Sequence, residues 1–232
     1  MHKNTRSMLP ILYSDAYFTV INKPCGMLVH RTSIAEDDDH PVALQVLRDQ
    51  LGQMVYPVHR LDRPTSGVVL FGHDPEITRA LQEELARPDG HKQYTALIRG
   101  WMPEPVVSTR EVKNDRGTLK AAETRFVPLE QFELPISTDR YPTARFSIVE
   151  AYPTTGRWHQ IRQHLAQLRH YIINDRVHGD GKQNRLFTEQ LDIREMFLHA
   201  HRFEITHPIT AEKLSIEAPF PEHWEKIRNL NL

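Results

Sequence analysis

One cysteine, Cys25, is all that 232 residues contain, which excludes an internal disulfide and any cysteine-rich zinc site and suits a reducing compartment. No stretch reaches the roughly 18 apolar residues that a membrane span needs, and the polar opening MHKNTRS lacks the apolar core of a secretory signal. Net charge is also nearly missing: the formal value is −1 at pH 7, so no strong positive field surrounds the molecule to attract nucleic acid. Internal repeats and low-complexity linkers are absent. These absences predict a soluble cytoplasmic protein, without membrane or metal partners, whose binding depends on local patches.

What is present is an apolar fraction of 39%, enough to bury the core of one domain or of two closely fused lobes. ILYSDAYFTVINKP reads as two short strands around a Ser-Asp turn. After an acidic loop at Glu36 to Asp39, Leu44, Leu47 and Leu51 recur at helical spacing and Gly52 supplies a stop, predicting a helix over Pro41 to Leu51. VVLFGH reads as a strand. Asp74 and Pro75 start a second helix as cap and first residue, with Ile77, Ala80, Leu81 and Leu85 as its buried stripe and Pro88-Asp89-Gly90 as its end. Lys92 to Trp101 alternates like a half-buried strand with Tyr94, Ala96 and Ile98 on one face. Residues 103–142, in which only AAETRFVPL resembles a strand, predict hairpins and a surface insertion. ARFSIVEAYP, MFLHAHRFEITHP and KLSIEAP are further strands. Many strands with few helices and no βαβ alternation predict an α+β fold on a largely antiparallel sheet.

TTGRWHQIRQHLAQLRH predicts a helix capped by Thr154 or Thr155. At 100° per residue, Trp158, Ile161, Leu165 and Leu168 share a core-facing stripe, and His159, Arg162, Ala166 and Arg169 line the adjacent one. Gln160, Gln163 and Gln167 fall on the far side. Arg162 therefore sits beside the packed face, a placement suited to a partly buried carboxylate. The segment Arg157 to Lys182 carries five Lys or Arg against two Asp, a local basic patch that is compatible with RNA or with an ordinary solvated face.

The densest polar loop is His59-Arg60-Leu61-Asp62-Arg63-Pro64-Thr65-Ser66-Gly67, set between two apolar runs where a scaffold usually places reactive groups. Alone, it is as compatible with a structural turn, with Asp62 accepting backbone hydrogen bonds and Gly67 at positive φ, as with a catalytic site. A metal site built on His199 and His201, or on His159 and His164, lacks an HExxH or cysteine companion. A glycosidase generally needs a second carboxylate, and none stands out beside Asp62. A non-catalytic RNA-binding module is the remaining alternative.

Four blocks in order decide between these readings: NKPCGMLVH from Asn22, HRLDRPTSG from His59, KQYTALIRG from Lys92 and TGRWHQIRQH from Thr155, with FLHAHRFEITHP near the end. Together they resemble the pseudouridine synthases that act on ribosomal and transfer RNA, over nearly the whole chain. The resemblance implies a mixed, largely antiparallel sheet in two fused lobes with a central cleft and flanking helices. It implies a single catalytic domain over residues 9–232 after a flexible start at 1–8, with no separate N-terminal RNA-binding domain. It makes Asp62 the catalytic carboxylate, Tyr94 the aromatic stacked on the target uracil, and Arg162 the cation paired with Asp62. Arg60 becomes the side chain that fills the gap left by a flipped base. A neighbouring cation favours the charged form of a carboxylate, which this role requires. The reaction involves no redox change, so no cofactor is expected.

Further RNA contacts are expected from Arg63, Arg157, His159, Gln160, Arg176, Lys182 and Arg185. Arg63-Pro64, TDRYPTARF and RVHGDGKQNR are most similar to the branch that modifies position 65 of tRNA, with a dual-specificity or 23S ribosomal RNA enzyme as the alternative. A monomer is expected. Tyr171 and Asn174 depart from the Pro and Gly usual before the Asp of the following pair, although Asn tolerates left-handed geometry. Asp62→Asn is expected to fold normally without activity, and Arg162→Ala to lose turnover with the fold intact.

Overall fold

Runs of β-branched and aromatic residues form twelve strands, and shorter amphipathic runs form five helices, in a computed structural model that describes residues 8–31, 41–87, 91–135, 137 and 141–230. In chain order these are β1 (Ile11–Ser14), β2 (Phe18–Lys23), α1 (Ala43–Leu51), β3 (Tyr56–Pro57), β4 (Ser66–Gly72), α2 (Pro75–Ala86), β5 (His91–Arg99), β6 (Val106–Ser108), β7 (Val112–Lys113), β8 (Leu119–Lys120), β9 (Thr124–Leu134), β10 (Ala144–Pro153), α3 (Gln160–Gln167), α4 (Gly181–Leu191), β11 (Leu198–Thr206), β12 (Lys213–Glu217) and α5 (Glu222–Leu230). Among the described residues no helix is long and apolar enough to cross a membrane. The acidic loop at Glu36 to Asp39, the Pro88-Asp89-Gly90 stop and most of the expected flexible start lie outside the described residues.

The main sheet runs β1-β2-β4-β11-β5-β10-β9-β6, with β12 on β11 and β3 on β4, and all its ladders are antiparallel except β4 with β11. That one parallel ladder has two pairs, His199 with Ser66 and Ala200 with Gly67. It joins two lobes with separate apolar cores. The first core gathers β2, β4, α1 and α2 around Phe18, Leu47, Phe71 and Leu81. The second lobe packs Phe146, Phe187 and Trp224 on one face of its strands and Phe126, Ile98 and Leu165 on the other.

Gly67 makes the junction possible. Its φ is +113°, and a β-carbon there would lie 2.2 Å from the carbonyl oxygen of Ala200. Only glycine lets the two backbones approach this closely.

Several expectations change. Within the Lys92–Trp101 segment, Thr95 to Ile98 are buried on both faces, because β5 lies between β11 and β10 with a core on either side, whereas Arg99 and Trp101 are exposed. The expected surface insertion contains β9, an eleven-residue strand paired along its length with β10. The strand expected at AAETRFVPL is its first half, and the alternation breaks at Pro128 before the second. Neither α4 nor α5 was expected, since each buries only a few side chains, such as Phe187, Trp224 and Ile227. In α2 the buried stripe takes in Thr78 rather than Ala80.

The helix around Arg162 is shorter than its pattern. It starts at Gln160, after His159 in a left-handed conformation (φ 50°), and no threonine caps it. Gln160 and Gln163 are buried rather than solvent-facing, because β7, β9 and the 110–124 segment cover that side. Asn174 takes the left-handed geometry expected of it, with φ 62°.

Candidate active site

Asp62 lies four residues before β4 in a loop fixed from both directions. Ser66 Oγ meets His199 Nδ1 of β11 at 2.9 Å, and Thr65 N donates to Asp62 O at 3.0 Å. From β2, the fully buried Lys23 donates to the carbonyls of Met27 (2.7 Å), Pro24 (3.0 Å) and Arg63 (3.3 Å). Burial pushes the Lys23 pKa down to about 7, against the opposing influence of Cys25 and Asp62. Cys25 Sγ donates to Pro64 O at 3.0 Å. The turn reading of this loop is therefore correct for its backbone, and the carboxylate is left over.

That carboxylate is met by Arg162, exactly one hundred positions along the chain, whose Nη1 donates to Asp62 Oδ2 at 2.9 Å. Arg162 is only 3% exposed, whereas the Asp62 side chain is 21% exposed. The same guanidinium donates from Nε and Nη2 to both oxygens of Asp175, at 2.8 and 2.7 Å. Burial opposes the charge on Arg162, but the bonds to Asp175 and then Asp62 outweigh it and raise its pKa. Asp175 is buried too; Arg162 and the backbone N–H groups of His178 and Val177 hold its pKa below the usual carboxylate range. A bidentate Arg–carboxylate pair of this kind fixes orientation as well as charge. Asp62 Oδ1 has no hydrogen-bond partner among the described residues.

Tyr94 on β5 packs its ring at 5.8 Å from Phe203. Burial, then the Asp62 charge, push its pKa well above the usual phenol value, so it stays protonated at neutral pH. A cavity of about 320 Å³ is lined by Arg60, Asp62, Thr65, Lys92, Tyr94 and Arg162, with Arg157, Trp158 and His159 on its other wall. A second cavity of about 790 Å³ shares Arg60, Asp62, His159 and Arg162 and adds Arg63, Arg176 and Arg194. The four shared residues form the partition between the two.

The structure thus brings together Asp62, Tyr94, Arg162, Arg60, Arg63, Arg157, His159 and Arg176. It does not bring Lys182 or Arg185, both on α4, to either cavity. Gln160 lines the smaller cavity, but its amide is committed inside the fold. Its Oε1 accepts from Thr155 Oγ1 and Arg157 N, and its Nε2 donates to Glu123 O and Thr124 Oγ1. Gln160 therefore shapes the start of α3 instead of presenting an amide to RNA.

Four residues were missed. Asp175 pairs with Arg162 across the turn after α3, which no local pattern indicates. Lys92 shares a strand face with Tyr94, a period-two signal that was legible. Its ammonium has no hydrogen-bond or ion-pair partner among the described residues, and burial lowers its pKa. Thr65 Oγ1 is buried without a hydrogen-bond partner among the described residues, beside Asp62. Lys23 was read only as the end of a strand. The histidines considered for metal are engaged elsewhere. His164 meets Thr124 Oγ1 and Arg110 O, and His199 meets Ser66 Oγ and Ala218 O. Among the described residues no group of three or more His, Cys, Asp or Glu could hold a metal ion.

The profile of the family described as RNA pseudouridylate synthase matches residues 17–167, which include Asp62, Tyr94 and Arg162. The chain belongs to that family. A relative from Vibrio parahaemolyticus named tRNA pseudouridine synthase C is 40% identical, covering 94% of this chain and 93% of its own length. One of the same name from Salmonella typhi is 42% identical over 95% of this chain and 88% of its own. Human RNA Pseudouridylate Synthase Domain Containing 1 superposes with a TM-score of 0.72 at 24% identity, over 95% of this chain and 87% of that one. The synthase fold is therefore the one described above. Asp175, the second carboxylate of this synthase, lies just beyond the matched span.

Proposed function

We propose that this synthase converts uridine 65 of tRNA to pseudouridine, with Asp62, Tyr94 and Arg162 as its catalytic residues. The observation that carries the site is Asp62: one oxygen is held by a buried arginine and the other is open to a cavity that also contains an aromatic ring. Isomerisation of uridine requires the N1–C1′ bond to break, the freed uracil to turn, and a C5–C1′ bond to form. Oδ1 is available either to attack the anomeric carbon or to remove the neighbouring ribose proton, while Arg162 holds Oδ2. Tyr94 can retain the freed uracil by stacking, worth about 1 to 3 kcal/mol per base. As a protonated phenol, it takes the carbon-5 proton only by passing on its own.

A uridine in a stem must first be extruded, at about a few kcal/mol. Arg60 is exposed and lines both cavities, which suits it to fill the gap. Arg63, Arg157, His159 and Arg176 border the cavities where flanking phosphates would run. Roles for Lys182 and Arg185 would require RNA to extend to α4. The reading includes a monomer with a single catalytic domain over residues 9–232, working in the cytoplasm where tRNA is found; one main sheet, to which both lobes contribute strands, supports the single domain.

Identity near 40% with proteins named tRNA pseudouridine synthase C, over nearly the full length of both, supports tRNA over ribosomal RNA. The test is to map pseudouridine in tRNA and ribosomal RNA from cells with and without the gene, and to repeat the reaction with purified protein. Loss confined to position 65 of tRNA supports the proposal. Loss at a ribosomal RNA position instead would replace the substrate but keep the chemistry.

A further inference from the structure

His159 stands between two partners that compete for its protons. Its Nδ1 is 2.9 Å from His178 Nε2, and its Nε2 is 3.6 Å from Asp62 Oδ2. The ring is stacked on Trp158 at 3.7 Å and 16°, while the His178 ring meets it edge-on at 88°. The backbone pays for this placement with a left-handed conformation, rare for a residue with a β-carbon and typical of functional sites. His178 is itself held in place, because its backbone N–H donates to Asp175 Oδ1, the same carboxylate that fixes Arg162.

Burial lowers the pKa of both rings, that of His159 to about 4, so both are neutral near pH 7. A contact between two neutral imidazoles holds one proton. Were it on His159 Nδ1, the lone pair of His159 Nε2 would face the Asp62 carboxylate, an unfavourable arrangement. With the proton on His178 Nε2 the bond is kept, and His159 carries an Nε2–H directed at Asp62. Coulomb interaction with the carboxylate favours this second arrangement, and the hydrogen bond that His178 donates is what keeps His159 Nδ1 unprotonated.

We propose that His178 is a positioning residue that fixes His159 in the tautomer whose Nε2–H faces Asp62 Oδ2. The distance of 3.6 Å is too long for a hydrogen bond, so that donor closes only when RNA fills the cavity. His159 and Arg162 then both hold Oδ2, which leaves Oδ1 as the oxygen that acts on the sugar. Trp158 acts in the same direction by stacking the ring in place. This inference rests on the reading of Asp62 as the catalytic carboxylate, and its test is built to fail separately from it.

The test combines nitrogen-15 NMR of histidine-labelled protein with turnover on tRNA for wild type, H178F and H178Q. The His159 signal is identified by its loss in H159Q. Wild type is expected to show the Nε2–H tautomer at His159. H178F removes the donor, should shift that tautomer, and should lower kcat by about 10- to 100-fold with KM nearly unchanged. H178Q, whose amide can donate to Nδ1, should restore the tautomer and most of kcat. An Nδ1–H tautomer in wild type overturns the proposal. So does H178F with unaltered tautomer and kcat, or equal losses in H178F and H178Q. Wild type inactive on every RNA would refute the functional reading instead, and the tautomer would still decide this one.

Discussion

Arg162 holds Asp175 with two hydrogen bonds and Asp62 with one, and the two carboxylates differ in exposure, Asp175 at 1% and Asp62 at 21%. One guanidinium therefore joins a fully buried carboxylate to a partly exposed one. Removing it has two consequences rather than one.

Arg162→Ala leaves Asp175 charged and buried without its cation, which costs about 3 to 5 kcal/mol. The sequence pattern alone leads to the expectation of an intact fold, and the buried pair reverses it. Urea unfolding should show the loss directly. Arg162→Met with Asp175→Asn should recover a large part of the stability, because no buried charge remains, while activity stays absent. Equal stability of Arg162→Ala and wild type would contradict the geometry.

Asp62→Asn removes no buried charge partner from Asp175, so the melting temperature should stay near that of wild type. Pseudouridine formation should fall by about 10⁴-fold or more, as for loss of a nucleophile or base. Retained turnover in a tritium-release assay on tRNA would remove Asp62 from the reaction.

Tyr94→Phe keeps the ring and loses the hydroxyl. RNA affinity should be unchanged within a small factor, whereas the proton-transfer contribution, about 10² to 10⁴ in rate, should disappear from kcat. A fall in affinity with kcat preserved would assign the hydroxyl to binding.

Gly67→Ala places a β-carbon 2.2 Å from Ala200 O at a φ of +113°. The β4–β11 junction must open, at about 3 kcal/mol or more. A thermal melt of the variant reads this, and an unchanged midpoint would mean that the two lobes do not depend on that contact.

Burial lowers the pKa of His59 to about 3 and those of His159 and His199 to about 4, from 6.5. All three are neutral in the folded chain at pH 7, and below about pH 6.5 the unfolded chain binds more protons. The stability they contribute is complete above 6.5 and is lost as the pH falls toward 4. Urea midpoints should drop from pH 7 to pH 5 at constant ionic strength. A flat profile over that range would show these rings to be solvated.

Local chemistry was legible wherever it repeats at a fixed period. The 3.6 spacing in α1 and α2, the Asp74-Pro75 start and the left-handed Asn174 follow from rules that act over a few residues. Asp62, Tyr94 and Arg162 were named differently, by the resemblance of an ordered set of motifs along the chain and not by any local rule. Only the first half of β9 was legible, as AAETRFVPL, because Pro128 breaks its alternation. The helices α4 and α5 escaped because two or three buried residues leave too faint a stripe.

The amino-acid sequence by itself determined the family, the α+β class and the elements with a clear period, and it offered Asp62, Tyr94 and Arg162 as candidates. Only the tertiary structure decided that Arg162 also holds Asp175, that Gln160 is committed inside the fold, that the Thr65 hydroxyl has no partner among the described residues, and that His178 reaches His159. The physical reason is that these depend on burial and on contacts between separate segments, from 13 to 36 residues apart in these bonds, that only packing brings together. Periodicity places a residue on a face, but what lies opposite that face is set by packing.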